Sequence, residues 1–275
     1  MIRFSRVCRT ITRALVLLTL TVWLPSLAMA EVRIAVAANF NPTLEHLVTQ
    51  YQSQHPDFRV RISSGSSGKH FAQIRQGAPF DLFFSADDQR TADLVDSGEA
   101  LPDSRLVYAL GQLMLWSNDP ELIPEDGLAL LQSGEFRRLA IANPRVAPYG
   151  VAAEALLDNA GVQLQSRQLV TGQSISQAFT FVRSGNAELG LVAASQVIVL
   201  ERQQGGEPMG SRWLPPADSY PPIVQEAVML QAGADNPWAA AFMQWVRCDQ
   251  VAHGILEQDG YLLPSRNGEA GCAGY

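Results

Sequence analysis

Lysine is all but missing from this chain: Lys69 is the only one, and every other basic residue is arginine. Cysteine is scarce too. Cys8, Cys248 and Cys272 make no Cys-x-x-Cys pair, and the four histidines, His46, His55, His70 and His253, are scattered, so no Cys/His cluster has zinc-site spacing. Basic charge is in deficit, with 20 Lys and Arg against 27 Asp and Glu for a net charge of −7, which argues against nucleic acid or an anionic membrane as partner. Beyond the first thirty residues no apolar run is long enough to cross a bilayer. There is no Gly-x-Ser-x-Gly elbow for a hydrolase nucleophile, no internal repeat and no low-complexity tract.

The first thirty residues read as an export signal. Arg3, Arg6, Arg9 and Arg13 precede an almost wholly apolar stretch from Ala14 to Ala28, and Ala28-Met29-Ala30 has the small-x-small form of a cleavage site. A membrane anchor is the competing reading; the shortness of the stretch, Pro25 and the Ala-Met-Ala end favour cleavage. Cys8 does not follow the apolar run and is no lipoprotein cysteine. The expectation is a periplasmic chain starting at Glu31. Its 20 basic residues less the leader's four leave 16 against 27 acidic, a net charge of −11. In an oxidising compartment Cys248 and Cys272 have the chance to pair.

The remainder alternates strand and helix, an α/β pattern with parallel strands. Strands are expected at Val32–Ala37, Phe58–Ile62, Leu82–Phe84, Leu139–Ala142 and Leu189–Ala193. Helices are expected from Pro42 with Asn41 as N-cap, from Ser67 to Gln76 with a stop at Gly77, and over Thr91–Ser97, Gly150–Asn159, Trp238–Val246 and Gln250–Gln258. Ser174 or Ser176 opens another. Residues 203–222 are rich in Gly and Pro and read as loop. Two long extended runs, Leu106–Trp116 and Val224–Leu230, fit crossovers between two α/β lobes.

Two junctions carry the chemistry: Val36-Ala-Ala-Asn-Phe-Asn-Pro42, and Ser64-Gly-Ser-Ser-Gly-Lys69 followed by Asp81-Leu-Phe-Phe-Ser-Ala-Asp87. Each begins where an apolar strand stops and ends by opening a helix. The first N–H groups of a helix lack internal acceptors and carry the positive end of its dipole. Two such starts facing one cleft make an anion site without a cationic side chain. Taken singly, Asn39 also fits a plain helix cap, Ser66-Ser67-Gly68 a turn and cap, and Tyr149 an edge aromatic. The Ile175 side chain fits a core position, so only its N–H is a candidate. Asp81, Ser85 and Asp87 read as strand-end and capping residues, and Arg145 as a solvated loop charge.

Six segments together resemble the ModA-like periplasmic molybdate-binding proteins, the soluble receptors of ABC importers. They are Ala37-Ala-Asn-Phe40, Ser66-Ser-Gly68, Gln76-Gly-Ala-Pro-Phe-Asp-Leu-Phe-Phe-Ser-Ala-Asp87, Leu139-Ala-Ile-Ala-Asn-Pro144, Pro148-Tyr-Gly150 and Gly190-Leu-Val-Ala-Ala-Ser-Gln196. The resemblance covers residues 31–260 and implies the type II periplasmic-binding fold, two α/β lobes joined by two hinge strands. After the signal peptide at 1–30, the expected division is 31–112 first lobe, 113–225 second lobe and 226–275 return to the first.

Position by position, the resemblance implies oxyanion contacts from the Asn39 amide, the Ser67 hydroxyl and N–H, and the N–H groups of Tyr149 and Ile175. The family's binding tyrosine falls at Ala193, a departure for which the Tyr149 hydroxyl is a candidate replacement. It implies molybdate or tungstate as ligand, with no direct coordination of the metal and no cofactor. The implied partner is a membrane permease, approached as a monomer. Donors alone suit a fully ionised tetrahedral dianion, molybdate, tungstate or sulfate, whereas hydrogen phosphate also needs an acceptor. The competing class is a secreted hydrolase using Ser67 with His70; three residues apart at one helix start, with no acid placed to orient His70, they form no known triad.

Overall fold

The computed structural model describes residues 31–264 and Cys272; the expected signal peptide lies outside the described residues. The chain runs β1 Val32–Ala37, α1 Asn41–Gln54, β2 Val60–Gly65, α2 Ser67–Arg75, β3 Leu82–Ser85, α3 Gln89–Asp96, β4 Leu106–Gly111, β5 Leu113–Ser117 and α4 Gly127–Ser133. It continues β6 Leu139–Ala142, α5 Pro148–Asn159, β7 Leu169–Gly172, α6 Ile175–Arg183, β8 Leu189–Ala193, α7 Ala194–Gln203 and β9 Ser211–Trp213. It closes with β10 Ile223–Met229, α8 Pro237–Cys248 and α9 Gln250–Gln258.

These strands form two five-stranded sheets, ordered β2-β1-β3-β10-β4 and β7-β6-β8-β5-β9. β1 is an interior strand and nearly continuously buried, as a parallel strand covered on both faces should be. It pairs in parallel with β2, Val32 opposite Val60, and with β3, Ile34 opposite Leu82. The sheets are mixed, however, because β10 runs antiparallel to both β3 and β4, and β5 antiparallel to β8 and β9. Leu44, Leu47, Val48 and Tyr51 form the buried face of α1. Tyr51 packs there with Phe58, Phe242 and Trp245 in the largest core of the first lobe.

The long run from Leu106 is two strands. β4 closes the first sheet, the chain passes Gln112, and β5 enters the second. The return crossing falls between Trp213 and Ile223, since β10 lies wholly in the first sheet. Asn41 is the first residue of α1 and not its cap; its amide donates to Glu45 Oε1 at 2.8 Å. β7, β9, α4 and α7 have no counterpart in the sequence reading. Cys248 and Cys272 form a disulfide with Cα atoms 5.4 Å apart, tying residue 272 to the end of α8. A 24-residue span closed in this way contributes about 3 kcal/mol in the chain-entropy model.

Candidate binding site

The carboxyl ends of the parallel strands in both sheets point at one junction, where ligands of open α/β sheets sit. From the first lobe, β1 leads into the Ala38–Phe40 turn before α1, β2 into Ser66 and α2, and β3 into Ala86. From the second, β6 leads into α5 and β7 into α6. Between these helix starts lies a small cavity of about 10 Å³. Ala37, Ala38, Asn39, Ser66, Ser67 and Ala86 form its first-lobe wall, and Ala147, Pro148, Tyr149 and Ile175 its second-lobe wall. All four sequence-predicted residues meet there, and no charged side chain lines it.

Ser67 is the first residue of α2 and buried, while Ser66 caps the helix by accepting from the Lys69 N–H. Ser67 Oγ accepts from the Ala86 N–H at 2.9 Å. Its position is therefore fixed by an acceptor lone pair, and its own proton is free to be donated. Tyr149 is the second residue of α5 and Ile175 the first of α6, so neither N–H has an acceptor inside its helix. Ser174 caps α6 through its bond from the Gln177 N–H.

Asn39 is buried and held by two residues that sequence reasoning missed. Its Nδ2 lies 3.0 Å from Gln225 Oε1 and 3.1 Å from the Tyr261 hydroxyl. Both protons of the expected amide donor are thus taken up by this side-chain network. The Tyr261 hydroxyl donates back to the Asn39 carbonyl at 3.2 Å and accepts from Ser195 Oγ at 3.0 Å, joining the first lobe to the start of α7. Burial pushes the tyrosine hydroxyls of this region, Tyr108, Tyr149 and Tyr261, above their ordinary pKa.

The lobes touch around the cavity. The Gly68 N–H donates to the Val146 carbonyl at 2.9 Å, and Ser176 Oγ donates to the Ala38 carbonyl at 2.9 Å. A Cβ on Gly68 would stand 2.9 Å from the backbone of Val146, so this contact requires glycine. Ser195, Ile198 and Arg202 form a second contact on one face of α7: Ser195 meets Tyr261, Ile198 fills the space beside Gly260, and Arg202 pairs with buried Asp259.

A family model for bacterial extracellular solute-binding proteins matches residues 32–262. The chain belongs to that family. This solute-binding protein is 40% identical over 235 residues to the molybdate-binding protein ModA of Azotobacter vinelandii, covering 85% of this chain and 90% of that one. It is 39% identical over 236 residues to ModA of Rhodobacter capsulatus, covering 86% and 89%. The solved Azotobacter vinelandii periplasmic molybdate-binding protein superposes with a TM-score of 0.78 at 40% identity, over 85% of this chain and 99% of that one. The sulfate-binding protein SubI of Mycobacterium tuberculosis shares the fold, with a TM-score of 0.69 at 16% identity. The two sheets are thus the two-lobe α/β fold of periplasmic binding proteins, and the solute-binding protein is a transport component and not an enzyme.

The geometry of Ser67 and His70 agrees. His70 is buried, its Nδ1 pairs with Gln73 Oε1 at 3.0 Å, and its Nε2 faces Gly65, while Ser67 is tied to Ala86. Burial lowers the His70 pKa. Asp81 pairs with Arg33, and Asp87 caps α3 through the Arg90 N–H, both structural as expected. Lys69 and Arg145 are exposed and off the cavity. Ala193 is buried at the start of α7 and offers no polar atom in place of the family tyrosine. A larger hollow around Arg137, Arg138 and Arg167 opens at the amino ends of β6, β7 and β8, far from the lobe junction in the topology, and Arg137 there pairs with Glu188.

Proposed function

We propose that this solute-binding protein captures one tetrahedral oxyanion, molybdate or tungstate, between its lobes and presents the closed form to the membrane permease of an ABC importer. The observation that carries the reading is the composition of the cavity: the Ser67 hydroxyl and helix-start N–H donors from both lobes beside the neutral Asn39 amide, with no carboxylate to repel a dianion. Asn39, Ser67, Tyr149 and Ile175 are the contacts. A lobe division with the outward crossing at Gln112 and the return between Trp213 and Ile223, earlier than the expected 225/226 boundary, export through residues 1–30, a periplasmic location and action as a monomer without a cofactor belong to the same proposal. The relatives named for molybdate support the ligand class.

Calorimetric titration of the chain from Glu31 tests it. Molybdate and tungstate should bind at least about tenfold tighter than sulfate, about 1.4 kcal/mol. Equal or tighter sulfate binding sinks the ligand assignment while leaving the receptor class standing.

A further inference from the structure

Tyr261 stands directly behind the cavity wall and touches both lobes. It is buried, with its ring edge-on to Phe40 at 5.5 Å between centroids. The next residue, Leu262, exchanges backbone hydrogen bonds with Leu110 of β4 at 2.7 and 3.1 Å, so the ring is carried on a segment fixed to the first sheet. Its hydroxyl accepts from Asn39 Nδ2 at 3.1 Å and donates to the Asn39 carbonyl at 3.2 Å, gripping one residue of the cavity wall by side chain and by main chain. It also accepts the Ser195 hydroxyl proton at 3.0 Å, from α7 of the second lobe. One proton given and two received use the whole capacity of the hydroxyl.

Ser195 belongs to a run of three residues that all reach toward the first lobe. The Ala194 N–H donates at 2.9 Å to the carbonyl of Gln112, where the chain crosses between the sheets. Ser195 reaches Asn39 through Tyr261. Gln196 Nε2 donates to Ser176 Oγ at 2.8 Å, and Ser176 passes its own proton to the Ala38 carbonyl at 2.9 Å. The start of α7 thus holds the crossing point with one residue and the Ala38–Asn39 stretch of the first-lobe wall with the next two. Neither Ser195 nor Tyr261 lines the cavity. Both are 2% exposed, so no bulk water replaces a bond lost between them.

We propose that Tyr261 is a positioning residue of the oxyanion site, setting Asn39 in the first-lobe wall by reference to Ser195 of the second lobe. The inference rests on the reading of the cavity as an oxyanion site. Packing alone needs only the ring, which phenylalanine would supply against Phe40; the three hydroxyl bonds serve Asn39 and Ser195. Without them the Asn39 amide stays pinned at Gln225 alone, and residue 39 loses its link to α7.

Tyr261→Phe separates this role from packing, since it keeps the ring and removes the hydroxyl. Ser195→Ala removes only the bond from the second lobe and leaves both bonds between Tyr261 and Asn39. The two substitutions lie on one route, so their effects on binding should not add. A residue that merely stabilised the fold would lower the melting temperature of the free protein and leave the affinity alone.

Calorimetry with molybdate on wild type, Tyr261→Phe, Ser195→Ala and the double variant, each with a melting curve and the NMR signals of the Asn39 side-chain amide, gives the readout. Tyr261→Phe should bind at least about tenfold more weakly and Ser195→Ala about threefold more weakly. Ser195→Ala added to Tyr261→Phe should cost nothing further, because the hydroxyl it acts on is already gone. The Asn39 amide signals should shift in both single variants. Wild-type affinity in a folded Tyr261→Phe protein overturns the proposal, as do losses that simply add or Asn39 signals that stay in place. If Tyr261→Phe does not melt cooperatively, Ser195→Ala decides alone, by its affinity and its Asn39 signals. Failure of the wild type to bind molybdate or tungstate strikes the ligand reading itself, and the wild-type titration shows that before any variant is compared.

Discussion

The two lobes furnish the cavity in different currencies. The first lobe gives side chains, Asn39 and Ser67, each locked by a partner of its own: Gln225 and Tyr261 for the amide, the Ala86 N–H for the hydroxyl. The second gives backbone at the starts of α5 and α6, where Tyr149 and Ile175 contribute chiefly by being the second and first residues of a helix. A side-chain donor depends on residue identity and on the shell that orients it. A helix-start N–H depends only on where the helix begins. Point substitution should therefore wound the first wall and hardly touch the second, unless it removes an N–H or blocks the meeting of the walls.

The largest effect on binding is expected where the lobes meet. Gly68→Ala adds a methyl group 2.9 Å from the Val146 backbone, and neither side of that contact is a flexible side-chain end. The substitution suits a helix interior and should leave the first lobe intact. Overpacking at about 1–3 kcal/mol, with strain on the Gly68–Val146 hydrogen bond, should lower oxyanion affinity about a hundredfold. Calorimetry gives the affinity, and small-angle scattering should find a more open form at saturating ligand. Unchanged affinity would mean that the two walls need not touch here.

Ser67→Ala comes next. A hydroxyl donor to a charged acceptor is worth about 1.5–3 kcal/mol, so affinity should fall about ten- to a hundredfold. The Ala86 N–H loses its acceptor in the free and bound protein alike, so that cost should appear in the melting temperature and cancel from binding. His70→Ala, one turn further along α2, should leave affinity nearly intact; the reverse ranking would revive the hydrolase reading.

The second wall can be broken without touching a polar side chain. Ile175 follows an extended residue, Ser174 at φ −147° and ψ 166°, and opens α6, the position where proline is best tolerated. Ile175→Pro removes the N–H, and Ile175→Ala keeps it while removing the same bulk. The proline variant should bind about tenfold more weakly than the alanine variant. Equal affinities would show that the second lobe binds through something other than this N–H.

The same division explains what the sequence could reveal. β1, β6, β8 and α9 were legible to the residue because their burial pattern is local: continuous apolar strands, and a helix capped by Asp249. Asn39 and Ser67 stood out as polar residues at strand ends. Tyr149 and Ile175 came only from resemblance, since no side chain advertises a backbone donor. Gln225 and Tyr261 were invisible because their meaning lies in partners 186 and 222 residues away. The Leu106–Trp116 run hid a change of sheet at Gln112, because both halves are buried and periodicity does not record which sheet a strand joins. α7 was missed because its apolar residues continue the buried run of β8, and its Ser195, Ile198 and Arg202 face is defined only by the C-terminal segment packed on it.

The smallest expected effect concerns the charge that neither wall carries. The chain from Glu31 has 16 basic and 27 acidic residues, net −11, yet is proposed to hold a dianion. The contacts are neutral dipoles inside a closed cavity, where they act at hydrogen-bond range and more strongly than in bulk water. The surface charge acts from farther off and is screened over about 8 Å at physiological salt. The local contacts should therefore govern the dissociation rate, and the global field should only slow approach. Raising chloride from low to physiological concentration should increase the association rate modestly, by less than about threefold, and leave the dissociation rate unchanged. A site that relied on Lys69 or Arg145 would lose affinity as salt rises. Stopped-flow measurement across several chloride concentrations separates the two, and a steep loss would mean that the neutral walls are not what holds the anion.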